Sequence, residues 1–374
     1  MGKIAVFTVF RNTNYGAVLQ SYASTFFLKQ LTGDEVYLID YVRDQNTNLM
    51  HNSIIYYGKH EKKCINKNSI KKFVKSIMNY EGTVRRTSVF LSFIDKVLPV
   101  YPQKFFTDDK IILDGFNYYF LGSDQIWNPD IMKGFHDAYF GITESKPKKV
   151  IAYAPSLGKL SFSKDEQTIL VEKLKRIDAL SCREVDSCKY LEKMTGREVK
   201  CVVDPTLLLD REEWLKISDE KIILPDNYIF VYSLRLDRQL INVAKEKAKE
   251  IGAMVIFLGT GEGNPGDGVV YKKAFGPAQF ITSIKKASYV YTDSFHGTVF
   301  SILFGKQFVV RANGEKGQRM ESLCGLLGLK QRTFREIQDL PDIDEKIDYN
   351  MAYNRLAELK RQSIQFIQEG MGLE

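Results

Sequence analysis

Four short segments of this 374-residue chain place side chains fit for acid–base or anion chemistry beside a strand-to-helix turn. In YTDSFHGT (291–298), His296 follows an apolar run and precedes a glycine and a helical pattern. An imidazole there can carry a proton, although a lone histidine is often structural. Asp293 is near enough in sequence to orient the ring or to cap the helix. In LGSDQIWNP (121–129), Ser123, Asp124 and Gln125 follow a strand-like run. An acid beside an amide suits sugar hydroxyls, and the acid can accept a hydroxyl proton. Asp124 would equally serve as a cap for the next turn, with Trp127 in the core. In SCREVDSCK (181–189), Arg183 is able to grip phosphate or carboxylate with two N–H groups, or to be held by Glu184 or Asp186 in a structural ion pair. In NTNYGAVLQ (12–20), Asn14 and Gly16 stand where backbone N–H groups attract anions and a glycine lets a ligand come close; an ordinary capping turn would use the same residues. Downstream, EKGQR (315–319) adds Lys316 and Arg319, which could reach the same cleft from a neighbouring strand end.

The elements that must position these residues follow from periodicity. KIAVFTVF (3–10) is rich in β-branched and aromatic residues, as a strand requires. Residues 16–31 repeat apolar side chains at helical spacing, and EVYLID (35–40) is a second strand. Strand–helix–strand favours a right-handed crossover in a parallel sheet. Residues 43–103 interrupt the alternation with a basic, partly helical insertion (69–79 and 85–98), too long for a simple connection. Strands resume at 118–121, 149–153, 179–182 and 200–203, with helices at 164–177 and 185–194. A second series follows Asp204-Pro205: strands at 228–233, 253–258, 288–292 and 307–311, and helices at 240–251, 278–284 and 297–304. The glycine-rich stretch GTGEGNPG (259–266) opens no helix and has no Lys-Ser/Thr pair, so it reads as a surface loop. The expected architecture is α/β. An N-terminal Rossmann-like domain (1–205, carrying the insertion) faces a C-terminal one (206–345) across a cleft, and a terminal helix (346–374) packs back on the first. Open sheets of this kind bind ligands beyond the carboxyl ends of their strands.

Composition narrows the function classes. A hydrophobic fraction of 44% with 26% charged residues is that of a globular protein. No apolar run is long enough for a membrane helix, and the start of the chain lacks the apolar core and cleavage site of a signal peptide. Val6 stands where myristoylation wants Ser or Thr. Cys64, Cys182, Cys188, Cys201 and Cys324 show no zinc spacing and read as free thiols of a reducing cytoplasm. The histidines, His51, His60, His136 and His296, form no local ligand pair, so no metal is expected. The net charge of +7 is concentrated in part at 59–75, KHEKKCINKNSIKKFVK. Such a run is a solvated helix face, or a surface that meets anionic lipid at the membrane. Nucleic acid is not expected, because no base-stacking motif accompanies the charge.

In this order, NYGAVLQ, GSDQIWN, AYAPSLG, SCREVDS, VVDPTLLL, YTDSFHG and EKGQR together resemble the polysaccharide pyruvyl transferase family, from about residue 10 to about 328. The resemblance implies a glycosyltransferase-B-like fold. It also implies ketal transfer of pyruvate from phosphoenolpyruvate to a sugar of a cell-surface glycan precursor, carried on a polyprenyl diphosphate. It makes Arg183, His296 and Lys316 the phosphoenolpyruvate-binding positions and requires no cofactor. Many members have arginine two places before the histidine. Here that place is Ser294, itself a candidate substrate contact, followed by Phe295, so one anion contact is missing or is supplied elsewhere, by Arg319 or Arg311. Within this reading His296 is the candidate acid and Asp124 the candidate base or hydroxyl anchor. Two alternatives share the fold: a glycosyltransferase using a nucleotide sugar, and a non-catalytic glycan-assembly protein with a decayed site.

Overall fold

A computed structural model of the chain describes residues 2–43, 82, 84–259 and 263–373; of Glu315 and Lys316 it describes the backbone alone. The expected helix at 69–79, the basic run 59–75 and residues 260–262 of the glycine-rich loop lie outside the described residues.

The first sheet contains β1 (Lys3–Phe7), β2 (Glu35–Val42), β3 (Val100–Phe106), β4 (Tyr118–Leu121), β5 (Lys149–Ala152), β6 (Ala179–Cys182) and β7 (Lys200–Cys201). Their spatial order is β3-β2-β1-β4-β5-β6-β7 and every pairing is parallel. The second contains β8 (Tyr228–Ser233), β9 (Met254–Gly259), β10 (Val269–Tyr271), β11 (Tyr289–Thr292), β12 (Gln307–Arg311) and β13 (Thr333–Phe334), ordered β10-β9-β8-β11-β12-β13 and again all parallel. Both orders reverse direction beside the first strand, the Rossmann pattern. Helices cover both faces of such sheets, so a strand like YIFVYS is buried at every residue. The two Rossmann-like domains make the fold glycosyltransferase-B-like.

The expected insertion is resolved differently. Residues 100–106 form β3, which lies beside β2 at the sheet edge. A helix at 84–97 precedes it. The last residues of the expected insertion are therefore part of the first sheet. Pro102 lies within β3 and hides it in the sequence; an edge strand tolerates the missing donor.

One hydrophobic cluster runs through both domains. The helix Tyr15–Thr32 supplies Tyr15, fully buried against Phe90, Tyr232 and Phe280. Its hydroxyl donates to the Phe275 carbonyl at 2.6 Å, and burial pushes the phenol pKa up. Trp214 fills the space between Tyr22 and Phe300. Each fully buried aromatic ring stabilises by roughly 2–3 kcal/mol, so the domains are joined by core and not by a linker alone. Arg86 adds a polar tie, donating to the carbonyls of Gly259 at 2.5 Å and Thr13 at 2.8 Å. The terminal helix Tyr349–Met371 straps the pair. Tyr353 donates to Ile302 of the second domain at 3.0 Å, while Ser363 accepts from the Val203 N–H at 3.0 Å and Tyr118 of β4 donates to Met371 at 3.3 Å.

Candidate active site between the domains

The site centres on Asp204, which the sequence reading used as a boundary and quoted in the VVDPTLLL motif without a role. It follows β7 and caps the short turn Pro205–Leu207, its Oδ1 accepting from the Thr206 N–H at 3.0 Å and Oγ1 at 2.6 Å. Its Oδ2 accepts from Arg183 Nη1 at 2.7 Å and lies 3.1 Å from Ser123 Oγ. On the opposite side, His296 Nε2 lies 3.8 Å from Oδ1, an ion-pair distance too long for a hydrogen bond. Burial alone would raise the Asp204 carboxyl pKa, but His296, Arg183 and Thr206 outweigh it and hold the carboxyl well below the usual carboxylate range. Asp204 is thus a buried anion that holds a cation of the first domain and faces an imidazole of the second.

Arg183 stands just past β6 with its side chain 1% exposed. Nε donates to Glu184 at 3.0 Å, Nη1 reaches Asp204 and Ser123, and Nη2 lies 3.8 Å from Asp124. Its guanidinium also sits 4.9 Å from the Phe295 ring centroid. Burial pulls its pKa down, yet the three carboxylates Glu184, Asp204 and Asp124 outweigh that and raise it. The structural ion pair was one of the two roles open to Arg183, and it is the one occupied here, chiefly with Glu184 and Asp204.

His296 is the second residue of the helix Phe295–Leu303, at the turn after β11, where the second sheet reverses its order. Its Nε2 is buried with no hydrogen-bond partner among the described residues. An orphaned buried nitrogen in a native fold calls for a reason, and a catalytic proton is one. The other face of the ring meets backbone: a Cβ on Gly16 would lie 1.9 Å from His296 Nδ1. Gly16 therefore makes room for the imidazole, which corrects the expectation that it admits a ligand. Asn14 corrects likewise: it is the N-cap of the Tyr15–Thr32 helix, its side chain accepting from the Gly16 N–H at 3.0 Å.

The other expected contacts divide. Ser123 is fully buried, its hydroxyl 2.9 Å from the Ala154 carbonyl and within reach of Asp204 and Arg183, so it cannot touch a ligand. Ser294 is also buried and is the N-cap of the His296 helix. Asp293 neither caps nor orients the ring; it accepts from Ser233 Oγ and the Leu234 N–H, both at 2.8 Å. Gln125 is half-buried, accepting from Asn128 at 2.9 Å. Asp124 keeps a partly exposed carboxylate, 20% accessible, at a backbone φ of 69°. A non-glycine residue there is held under local strain, which recurs at functional positions. Gly122 before it has φ 114°, and any Cβ would meet the Tyr153 carbonyl at 2.4 Å. Trp127 is core, as the sequence allowed.

Arg311 does not reach the site. It pairs with both oxygens of Asp237 at 2.7 Å. Arg319 is half-buried on the helix Gly314–Leu326 and makes no hydrogen bond or ion pair among the described residues. Burial and then the neighbouring Arg183 charge pull its pKa down, with Glu184, Asp124 and Asp204 opposing. Lys316 is on the same helix; its side chain lies outside the described residues. A cavity of about 290 Å³ opens beside the cluster, lined by Lys159, Ser161 and Ser187 of the first domain and by Gln318, Arg319 and Ser322 of the second.

Residues 14–315 match a model of the polysaccharide pyruvyl transferase family. The chain belongs to that family. The motif resemblance and the family match agree, and they cover both domains of this family member. No curated protein is similar enough in sequence to match it. Among solved structures it is similar to a co-structure of S. aureus MnaA with UDP (12% identity, TM-score 0.48, covering 100% of this chain and 98% of that one). It is also similar to the Neisseria meningitidis UDP-GlcNAc 2-epimerase bound to UDP-GlcNAc (10% identity, TM-score 0.46, covering 100% and 95%). The UDP-GlcNAc 2-epimerase of Methanocaldococcus jannaschii is a third (8% identity, TM-score 0.47, covering 96% and 92%). Among the described residues no helix is long and apolar enough to cross a membrane.

Proposed function

We propose that this family member transfers pyruvate as a ketal from phosphoenolpyruvate to two hydroxyls of a sugar in a cell-surface polysaccharide precursor, such as a capsule or exopolysaccharide unit. The observation that carries the reading is the meeting of Arg183, His296 and Asp124 around one buried carboxylate, Asp204, in a chain of this family. In this scheme His296 gives a proton to the methylene carbon of the enol phosphate, and carbon two becomes electrophilic. One sugar hydroxyl bonds to carbon two and loses its proton to Asp124. The second hydroxyl then bonds to the same carbon as the carbon–oxygen bond to phosphate breaks, and its proton returns to the imidazole of His296, which had given its own to the methylene carbon. Inorganic phosphate leaves with that electron pair. One well-placed acid–base group contributes about 10² to 10⁴ in rate. Arg183 holds Asp204 and Asp124 in place, and by the family resemblance Lys316 is a further contact to the donor. The donor is a substrate and the scheme uses no cofactor. The acceptor is carried on a polyprenyl diphosphate. The protein works in the cytoplasm at the inner face of the membrane, and its basic run 59–75 suits contact with anionic lipid.

Phosphate release from phosphoenolpyruvate, measured with a panel of lipid-linked saccharides, tests the reading directly. Thermal stabilisation should grow with phosphoenolpyruvate as RT ln(1 + [L]/Kd). Stabilisation by a nucleoside-diphosphate sugar and none by phosphoenolpyruvate would replace the reading with a glycosyltransferase. Stabilisation by neither, with no phosphate release, would leave the non-catalytic alternative.

A further inference from the structure

Arg86 joins the two domains through backbone carbonyls, with no carboxylate beside it among the described residues. Its guanidinium is buried, 5.0 Å from the Tyr15 ring centroid and 5.5 Å from that of Phe90. Nη1 donates to the Gly259 carbonyl, at the end of β9 in the second domain, and Nη2 donates to the Thr13 carbonyl in the first. Nε has no hydrogen-bond partner among the described residues. A buried cation balanced only by carbonyls and ring faces is costly, and an apolar side chain would fill the place at less cost. What the guanidinium adds is two directed donors at a fixed span.

That span bears on His296. Thr13 stands immediately before the N-cap Asn14, and Gly16 is the second residue of the helix that follows. Gly16 is also where the imidazole meets the first domain. On the other side, Gly259 and His296 ride on one sheet: β9 pairs with β8, and β8 with β11, whose turn leads into the His296 helix. The gap between the Thr13 and Gly259 carbonyls therefore sets the gap between Gly16 and the ring. With it goes the 3.8 Å from His296 Nε2 to Asp204. The helix at 84–97 that carries Arg86 packs across the same junction: a Cβ on Gly276 would lie 2.3 Å from Val89 Cγ1.

We infer that Arg86 is a positioning residue for the reaction: it holds the two domains at the separation that sets His296 against Asp204, and it acts through the imidazole. The inference rests on the proposed transfer for its kinetic readout alone.

Arg86→Met removes both donors. It should lower kcat for phosphate release by about tenfold or more with KM within about twofold, because a shift of about 1 Å at a reacting group costs about 10²-fold. Arg86→Lys, which can still donate, should recover part of the loss. On a His296→Ala background, Arg86→Met should change kcat by less than about twofold, because the group it acts through is gone. Arg197 also donates to backbone carbonyls, those of Leu174 at 2.8 Å and Ile177 at 2.5 Å, but within the first domain alone. Arg197→Met should therefore leave kcat unchanged. NMR of the full chain with ring-labelled histidine gives a reading that needs no activity. The His296 signal, assigned by its loss in His296→Gln, should move in Arg86→Met and stay in place in Arg197→Met. An unmoved signal in Arg86→Met overturns the inference. So does an equal loss of kcat on the His296→Ala background or in Arg197→Met, or a rise in KM at wild-type kcat. A moved signal in a protein that releases no phosphate from phosphoenolpyruvate keeps the positioning role and sinks the pyruvyl transfer. If Arg86→Met does not fold, Arg86→Gln carries the same comparisons.

Discussion

Gly16→Ala is the sharpest perturbation this site offers, because it acts on His296 without changing a polar group. The new methyl would sit 1.9 Å from Nδ1, 2.4 Å from Cε1 and 2.5 Å from Cγ of the imidazole. Ordinary contact begins at 3.4 Å, so the ring must retreat by about 1.5 Å. It has little room to do so, with the Phe295 ring centroid at 5.2 Å and Asp204 Oδ1 at 3.8 Å. The backbone itself favours the change, since alanine is better than glycine in a helix by about 1 kcal/mol. The clash is therefore the whole cost, about 1–3 kcal/mol for an overpacked interior. A misplacement of about 1 Å at a reacting group lowers the rate about 10²-fold. The expected result is a loss of about 100-fold in kcat for phosphate release, with thermal melting that still shows one cooperative fold. His296→Ala placed on top of Gly16→Ala should restore most of the lost stability, because it removes the ring that the methyl strikes. Wild-type kcat in Gly16→Ala would refute the idea that the position of His296 matters to the reaction.

Three further outcomes follow from the same geometry. His296→Gln should lower kcat/KM for phosphate release by about 10²-fold or more while the protein stays folded; an unchanged kcat/KM would mean that His296 is a structural residue. Asp204→Asn should destabilise by about 1.5–3 kcal/mol in urea titrations, because it removes one of the two close counter-charges of the buried Arg183 and leaves Glu184 as the other. The lowered Asp204 pKa also means that its contribution is present above the unfolded carboxylate value of about 3.9 and is lost as pH falls below it, so the wild type should lose more stability on acidification than Asp204→Asn. Lys306 has its pKa pulled down to about 8, by burial first and then by Arg211 and Lys285. A lowered lysine costs stability most fully below pH 8, and that cost disappears as pH rises through the unfolded value of about 10.4. Lys306→Met should therefore stabilise by about 1 kcal/mol at pH 7, solvent screening of this partly exposed group and the lost bond to the Ala287 carbonyl included, and by less at pH 9.5. A gain that did not shrink with pH would show that the charge is not its source.

Much of the architecture was legible in the chain itself. Parallel strands buried on both faces must be apolar runs, so YIFVYS and MVIFLG announce themselves, and the turns after β4, β6 and β11 carry the chemistry. His296, Arg183 and Asp124 were found by that rule. Edge elements were harder. β3 contains a proline, β10 has three residues, and the Gly314–Leu326 helix carries glycines that weaken its pattern.

Local sequence could suggest partners only among near neighbours, and here it misled. It offered Asp293 to His296, whereas the carboxylate that faces the ring is Asp204, 92 positions away in the chain. It offered Ser123 and Ser294 as ligand contacts, whereas burial makes one a bond to Asp204 and the other a helix cap. It offered Arg311 and Arg319 as equals, and only the fold pairs the first with Asp237 and leaves the second facing the cavity. Residue type and the strand-to-helix turn determine which side chains can do chemistry. Which of them meet is decided by the closure of two sheets on a shared core, because charge and hydrogen bonding act over a few ångströms of space and take no account of distance along the chain.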